Sequence, residues 1–527
     1  MSDQVMPQHQ STMPRFMWWV LVVVMLLTLA ARVIPEPRTI DDAFITFRYS
    51  RNIVDGNGFV YNLDSRTLGT TTPLYTLLMA SISFVTGSKN FPWFALITNA
   101  IADAITAALL ALLLYRATQQ ITLAAIIGVL WALSPMSVTF AIGGMETSVG
   151  LLWAVAAMYA YVTRRERAMA VCAALAILTR IDTIIWVGLL FLHQLYTHWR
   201  ASQPKRLPWQ SWLIFGAILL PWYAFSWTYF GTFLSRSLSA KTVAYVVGDF
   251  QAVTRLIQHI ATPFFDSDAL GVWGIRIGLF LYPALSGAGT LYAAKNHPRL
   301  VPYLIYPWFY VTIFSLMNPL IFRWYLAPIL PAYFLAILLG VWALGSALAE
   351  QFKRPQVLPV AFAIIGVILI LFSLNAWALE PDHGPDRPAP EMAWHEIELN
   401  YRRMGEKLRD EYGVTEDTLV AAGDIGAVGF FSRARILDTV GLVTPEISEY
   451  YPFDKSLLAQ DANYAVPPAI IHDYQPDYIV LMEHFVRHGL AVDPEFNARY
   501  AEIWVIPTDY YGTGMILYQR RDLAAAD

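Results

Sequence analysis

The sequence contains little charge. Only 14% of its 527 residues are Asp, Glu, Lys or Arg, whereas 56% are hydrophobic. A soluble protein carries roughly a quarter charged residues. Uncharged apolar runs of membrane-spanning length recur up to about residue 380. The composition therefore predicts that most of the chain forms a multi-span α-helical membrane protein.

Cysteine and basic tracts are also scarce. The only cysteine, Cys172, lies inside an apolar run, which excludes a disulfide framework and a cysteine metal site. We expect it to be a buried packing residue. His193 and His198 fall on the predicted cytoplasmic half and indicate no metal site. The net charge is −4, and no basic tract indicates a nucleic-acid partner.

The apolar runs predict eleven membrane spans. We interpret the first run as a retained anchor and not a cleaved signal peptide, because the acidic loop after it needs a neighbouring span. The long run 168–199 is divided at Arg180, since one helix would place Arg180 and Asp182 in hydrocarbon. The predicted spans are 17–34, 91–115, 121–141, 147–163, 168–180, 183–199, 210–230, 271–293, 299–317, 324–346 and 356–378.

Basic residues indicate the orientation of these spans. If 73–87 is an amphipathic helix on the membrane surface, the basic clusters near 116, 164–167, 205–206, 295–299 and 353–354 all fall on one side. The positive-inside rule makes that side cytoplasmic. We therefore predict a multi-pass protein of the bacterial plasma membrane with a cytoplasmic N-terminus. Every segment with candidate chemistry, and the C-terminal region, then lies outside.

A proline-rich stretch near residue 381 marks a change of composition. We predict a catalytic membrane domain at 1–380 with its first outer loop at 35–90, a linker at 381–392 and an extracytoplasmic α/β domain at 393–527. That domain is predicted to contain a helix at 393–412 and strands at 418–422, 477–482, 502–506 and 515–519. The glycine-rich segment 423–429 lacks dinucleotide-binding spacing, so we expect a strand-to-helix turn there.

Two adjacent carboxylates, Asp41 and Asp42, directly follow the first span and are the candidate catalytic residues. At helical spacing Asp41 and Arg48 share a polar face, which predicts a helix in the interface with that face towards a cavity. A carboxylate is a common general base for a hydroxyl nucleophile, and a neighbouring carboxylate raises the pKa of the pair. A capping box over 39–42 is the alternative explanation for one aspartate.

Arginines predicted at the outer surface are candidates for binding the phosphate of a donor, because guanidinium groups pair with phosphate by forked hydrogen bonds. The alternative for each is snorkelling to lipid headgroups. These candidates are Arg180, Arg236 and Arg323. The other substrate-site candidates are Arg48, Glu146, Asp182 and Lys241. Asp41, Asp42 and Glu146 would be the ligands of a divalent cation, although no feature of the sequence requires one.

Five segments, in order, resemble bacterial GT-C-fold glycosyltransferases, most closely the actinobacterial terminal arabinofuranosyltransferase-like family. They are DDAFITFRYSRNIVDGNGFVYN (41–62), GTTTPLYTLLMA (69–80), GGMETSVGLLWA (143–154), LTRID (178–182) and GDIGAVGFFSRARILDTVGLVTPEI (423–447). The resemblance covers most of the chain, and its first block is the specific one.

The resemblance implies the GT-C fold and an inverting sugar transfer from a polyprenyl phosphate to an acceptor outside the membrane, with or without a metal. Protein mannosyltransferases and the lipid A aminoarabinose transferase are related enzymes that carry an acidic pair in the first outer loop, one member being the base. The matching positions here are Asp41 and Asp42, and Glu146 matches a second acidic position. Departures at 178–183 and 234–237 leave the sugar open.

We therefore predict a membrane glycosyltransferase that moves a monosaccharide from a polyprenyl-phosphate donor to a hydroxyl of a glycan, lipid or protein. The main alternative is a transporter or flippase of lipid-linked sugars, which is expected to carry charges deep within its spans. Here the charges cluster at the outer ends. A second alternative, a non-catalytic receptor, leaves the aspartate pair unexplained. The sequence leaves the acceptor and the oligomeric state open.

Overall fold

The computed structural model describes residues 13–200, 208–377 and 393–524. Up to residue 377 the described chain is helical, with short 3-10 turns. Its helices are α1 (Arg15–Val33), α2 (Asp41–Val54), α3 (Pro73–Thr86), α4 (Phe91–Thr118), α5 (Ile121–Leu133), α6 (Pro135–Ile142), α7 (Thr147–Val162), α8 (Glu166–Thr179), α9 (Ile184–Trp199), α10 (Trp209–Phe230), α11 (Arg236–Ala244), α12 (Gln251–Ala261), α13 (Ser267–Leu270), α14 (Val272–Asn296), α15 (Val301–Met317), α16 (Leu330–Gln351) and α17 (Leu358–Asn375).

Seven of the described helices are long and apolar enough to cross a membrane, and the count is eight if the bent pair α5 and α6 forms one span. That pair bends by 46°, at Pro135, which cannot donate a helical hydrogen bond. Helices α3 and α7 are apolar but shorter. The protein is thus a multi-span helical membrane protein, as predicted, while the total of eleven spans stays a prediction.

The long apolar run at 168–199 is broken where the sequence predicted. Helix α8 ends at Thr179, a 3-10 turn covers Ile181–Thr183, and α9 begins at Ile184. The break places Arg180 and Asp182 in a turn at the ends of two helices, where polar groups can line a cavity. Cys172, in α8, is partly buried against the core.

One charged pair that the sequence analysis did not single out lies inside the helix bundle. Arg32 of α1 and Asp103 of α4 are fully buried, with Nε and Oδ2 2.9 Å apart. Arg32 also donates to the backbone oxygen of Ala132 and to Ser137 Oγ, and Asp103 accepts from Ser148 Oγ. The pair therefore joins five helices, α1, α4, α5, α6 and α7.

Removing one member of this pair is expected to destabilise the protein strongly. Arg32→Met leaves Asp103 as an uncompensated buried charge, which costs about 3–5 kcal/mol. Arg32→Met combined with Asp103→Leu removes both charges and is expected to recover part of that loss. Thermal unfolding in detergent measures the stability of the single and the double variant. Arg116→Met is the control, because Arg116 is exposed. An Arg32→Met protein as stable as the Arg116→Met protein would contradict the structural role.

The C-terminal part forms a five-stranded sheet in the order β2-β1-β3-β5-β4, parallel among β2, β1 and β3 and antiparallel at β5 and β4. Its strands are β1 (Leu419–Ala422), β2 (Arg435–Asp438), β3 (Tyr478–Met482), β4 (Tyr500–Pro507) and β5 (Gly514–Arg520), and its helices are α18 (Ala393–Asp410), α19 (Gly426–Ser432), α20 (Pro468–Tyr474), α21 (Pro494–Arg499) and α22 (Arg521–Ala524).

This α/β domain matches the sequence expectation in all but one strand. Helix α18 and strands β1, β3, β4 and β5 lie where they were predicted, and the segment 423–429 is a strand-to-helix turn. Strand β2 was missed; it begins and ends with charged residues, Arg435 and Asp438, and only Ile436 and Leu437 between them are apolar. The predicted linker at 381–392 lies outside the described residues.

Candidate active site

The helix that carries the aspartate pair begins without a side-chain cap. Helix α2 starts at Asp41 after Ile40 in an extended conformation. The hydroxyl of Thr39 instead donates to Glu398 Oε2 of α18 at 3.1 Å. The capping-box explanation is therefore wrong, and both aspartates are available for other contacts.

Asp41 is bound to the C-terminal domain. Its two carboxylate oxygens accept hydrogen bonds from the backbone N–H groups of Gly426 at 2.8 Å and Ala427 at 2.7 Å. Burial, followed by the neighbouring Asp424 carboxylate, raises the pKa of Asp41 well above its usual range, against the effect of these two bonds. Asp41 thus holds the turn between β1 and α19 against α2, and both of its oxygens are occupied.

Further contacts from residues 41–62 fix the same turn. Arg48 donates to the backbone oxygens of Gly429 and Ala434, both at 2.7 Å. The Tyr61 hydroxyl donates to the Ile425 oxygen at 2.5 Å, and Asn62 Nδ2 to the Ile436 oxygen at 2.8 Å. Segments 41–62 and 423–436 are therefore packed directly together. Arg48, a substrate-site candidate, lies in this contact.

Asp42 is the more open member of the pair. Its Oδ2 lies 3.3 Å from Lys241 Nζ of α11, and the two side chains are 28% and 18% exposed. The Lys241 ammonium also lies 4.7 Å from the centre of the Phe322 ring. Burial alone would lower the pKa of Lys241, but the Asp42 carboxylate raises it above the usual value. Lys241 therefore stays charged and orients the Asp42 carboxylate.

Two cavities meet at this ion pair. A cavity of about 530 Å³ lies between the membrane domain and the C-terminal domain. A second, of about 300 Å³, lies among helix ends and loops of the membrane domain. The residues that line both are Asp42, Ile45, Lys241, Leu320, Phe322, Trp324 and Leu442. Asp42 and Lys241 thus face both spaces at their junction.

Besides Asp42 and Lys241, three further sequence candidates line the smaller cavity. Arg180 Nη1 lies 2.7 Å from Glu146 Oε1, and its Nη2 lies 2.9 Å from Asp182 Oδ2. Two carboxylates therefore offset the charge of this one guanidinium. Hydroxyl groups and apolar side chains complete the wall, including Thr70, Thr71, Thr72, Ser237, Thr242, Phe314 and the largely exposed Met317.

The remaining arginine candidates are placed differently. Arg323, in the 3-10 turn Arg323–Tyr325, lines the larger cavity together with Arg255. Arg236 is exposed at the first residue of α11 and lines neither cavity. The structure thus brings Asp42, Glu146, Arg180, Asp182 and Lys241 around the smaller cavity and leaves Arg48 and Arg236 outside both.

Sequence reasoning missed two acidic residues of the larger cavity, Asp461 and Asp424, of which Asp424 is the buried one. Asp424 is the second residue after β1, in the turn that Asp41 holds. Its Oδ2 accepts a hydrogen bond from the Tyr401 hydroxyl at 2.9 Å. Burial raises the pKa of Asp424 to about 6, although this hydrogen bond opposes the shift. The available signal was its position after a parallel strand, since ligands bind at the carboxyl ends of such strands.

The carboxylates named as cation ligands are not arranged as one cation site. Asp41 accepts from two backbone N–H groups, whereas Glu146 is paired with Arg180. Within residues 13–200, 208–377 and 393–524, no group of three or more His, Cys, Asp or Glu side chains is placed to hold a metal ion.

The whole chain is similar in structure to solved membrane proteins of low sequence identity. ArnT from Cupriavidus metallidurans, solved bound to undecaprenyl phosphate, has a TM-score of 0.55 at 14% identity, over 95% of this chain and 97% of that one. The oligosaccharyltransferase AglB from Archaeoglobus fulgidus, solved with an inhibitory peptide and a dolichol-phosphate, has a TM-score of 0.52 at 13% identity, over 93% and 72%. The protein therefore has the GT-C fold, as the sequence resemblance implied.

The C-terminal domain has its own match. Residues 391–523 match a domain of unknown function, DUF8728. No curated protein matches the chain.

Proposed function

We propose that this protein is a membrane glycosyltransferase that moves a monosaccharide from a polyprenyl-phosphate donor to a hydroxyl of an extracytoplasmic acceptor. The observation that carries the proposal is the Asp42–Lys241 pair at the junction of two cavities. A transferase needs one approach for a lipid donor and another for the acceptor. The lipid phosphates in the structures of ArnT and AglB support a donor of this class.

The donor is assigned to the smaller cavity. Lys241 and the hydroxyl groups of Thr70, Thr72 and Ser237 bind its phosphate, since ammonium and hydroxyl groups are phosphate donors. The exposed Met317 beside the cavity offers an apolar surface for the prenyl chain. Arg180 borders the same space, but Glu146 and Asp182 offset its charge. Lys241 is therefore the principal phosphate-binding cation in this proposal.

Asp42 is the general base. It takes a proton from the acceptor hydroxyl, whose oxygen attacks the anomeric carbon, while the bond from that carbon to the phosphate oxygen breaks. Polyprenyl phosphate leaves as an anion. Protonation removes the negative charge of Asp42, so the bond of Lys241 to the phosphate strengthens as the phosphate gains negative charge. Asp42 returns its proton to water, and the charges balance at each step.

The location follows from the orientation of the spans. We place the protein in the bacterial plasma membrane with a cytoplasmic N-terminus, and its active site and C-terminal domain outside. We keep residues 1–380 as the catalytic membrane domain and 393–527 as the outer domain. The alternative of a flippase is less well supported, because the buried Arg32–Asp103 pair lines neither cavity.

The test is sugar transfer by the purified protein in detergent. Radiolabelled polyprenyl-phosphate pentoses and hexoses are supplied with cell-envelope extract from a host strain that lacks the gene. We expect one donor class to release polyprenyl phosphate and to label a component of the extract. Absence of release from every donor, with lipid-linked sugar crossing reconstituted vesicles, would replace this proposal with the flippase.

A further inference from the structure

The larger cavity is built by two domains. The membrane domain supplies Asp42 and Lys241, and the C-terminal domain supplies the other wall, with Asp424, Asp461 and Asn463 among its lining residues. The cavity of about 530 Å³ has the size of a small-ligand site. Its far wall therefore belongs to the domain of unknown function.

Asp424 is held firmly in that wall. The turn that carries it is fixed on one side by the bonds from Gly426 and Ala427 to Asp41. Tyr401 of α18 donates to one oxygen of Asp424 itself. The backbone of Asp424 and one of its carboxylate oxygens are therefore both fixed. This pre-organises the other carboxylate oxygen to accept a hydrogen bond from a ligand.

The chemistry of this wall fits a sugar. Carboxylates accept hydrogen bonds and donate none when ionised, so Asp424 and Asp461 fit hydroxyl donors and disfavour phosphate groups. The aromatic rings of Phe485, Tyr511 and Trp324 line the same cavity and provide flat apolar surfaces. Asp424 lines the larger cavity but not the smaller one, so its ligand differs from the donor phosphate.

We propose that Asp424 binds the acceptor, by accepting a hydrogen bond from a hydroxyl beside the one that attacks, and that the acceptor is a polyhydroxylated glycan. This inference rests on the proposed function. It makes the C-terminal domain part of the active site and not only a neighbour of it. Asp42 takes the proton, and Asp424 holds the sugar that supplies it.

The test separates acceptor binding from donor binding. Purified native protein, Asp424→Asn and Asp417→Asn are assayed with the donor identified above and with graded amounts of the same cell-envelope extract. Asp417 is the matched control, because it lies exposed before β1 at the opposite end of the strand. A hydrogen bond to a charged group contributes about 1.5–3 kcal/mol, or roughly a tenfold to hundredfold effect.

We expect Asp424→Asn to raise the amount of extract that gives half-maximal transfer by roughly tenfold or more, with the donor KM within about twofold of the native value. Asp417→Asn should match the native protein in both quantities. An unchanged dependence on extract, or an equal change in donor KM, would overturn the inference while leaving the proposed function intact. A native protein without any transfer would overturn the proposed function itself, and the inference with it.

A second variant tests the inference in case Asp424→Asn does not fold. Tyr401→Phe removes the hydrogen bond to Asp424 but keeps the carboxylate. If Tyr401 positions Asp424, Tyr401→Phe should raise the amount of extract that gives half-maximal transfer, but by less than Asp424→Asn does. The donor KM should again be unchanged. If Asp424→Asn does not fold, the inference is tested with Tyr401→Phe alone. The inference is overturned if Tyr401→Phe has the same unfolding temperature as the native protein and reaches half-maximal transfer with the same amount of extract.

Discussion

The Asp42→Asn protein is expected to transfer sugar at least about a hundredfold more slowly than the native protein, because an amide cannot act as a general base. Asp42 is partly exposed, faces both cavities and is paired with Lys241 at 3.3 Å. Removing its charge also leaves Lys241 without its partner before the reaction begins. The loss should therefore fall on kcat at saturating donor and acceptor.

The matched comparisons are Asp64→Asn and Asp41→Asn. Asp64 lies in the same segment between α1 and α3, is about half exposed and pairs with Arg435 at the surface, so its replacement should leave transfer unchanged. Asp41→Asn keeps one accepting oxygen for the two N–H groups of Gly426 and Ala427, and should lower stability together with activity. Full activity in Asp42→Asn, with a loss confined to Asp41→Asn, would assign the base to Asp41.

The sequence located the aspartate pair but not the different roles of its members. Adjacent residues of a helix point about 100° apart, so Asp41 and Asp42 meet different surroundings. The partner of Asp41 is at Gly426, 385 residues further along the chain, and the partner of Asp42 is 199 residues away. Hydropathy and helical spacing contain no information on contacts at such separations.

Patterns that depend on local sequence were the ones predicted well. The break at Arg180 followed from the cost of two charges in one apolar run, and α18 followed from its amphipathic spacing. The ion pair of Arg32 and Asp103 was missed because its members are 71 residues apart and each is a single charge in an apolar segment. Asp424 was missed because the glycine-rich turn around it had a sufficient local explanation.

The contact between the two domains can be tested at a single glycine. A Cβ added at Gly426 would lie 1.8 Å from the Asp41 backbone oxygen, and neither backbone can yield without separating α19 from α2. Gly423, three residues earlier in the same turn, is the control, because its added Cβ would meet Tyr464 at an ordinary 3.4 Å. Both variants replace a glycine of the same turn by alanine, so both change the backbone entropy in a similar way. A difference between them therefore reports the close approach of α19 to α2.

We expect Gly426→Ala to lower stability by about 1–3 kcal/mol or more, as for overpacking of a tight contact, and to reduce transfer at least about tenfold because the Asp41 hydrogen bonds are lost. Gly423→Ala should have the same unfolding temperature as the native protein. Thermal unfolding in detergent and hydrogen exchange at 41–49 measure the two effects. A Gly426→Ala protein with native stability and native protection at 41–49 would mean that α2 and α19 are not in contact in solution. Asp41 would then be released from its structural role, and Asp424 would no longer be fixed beside Asp42.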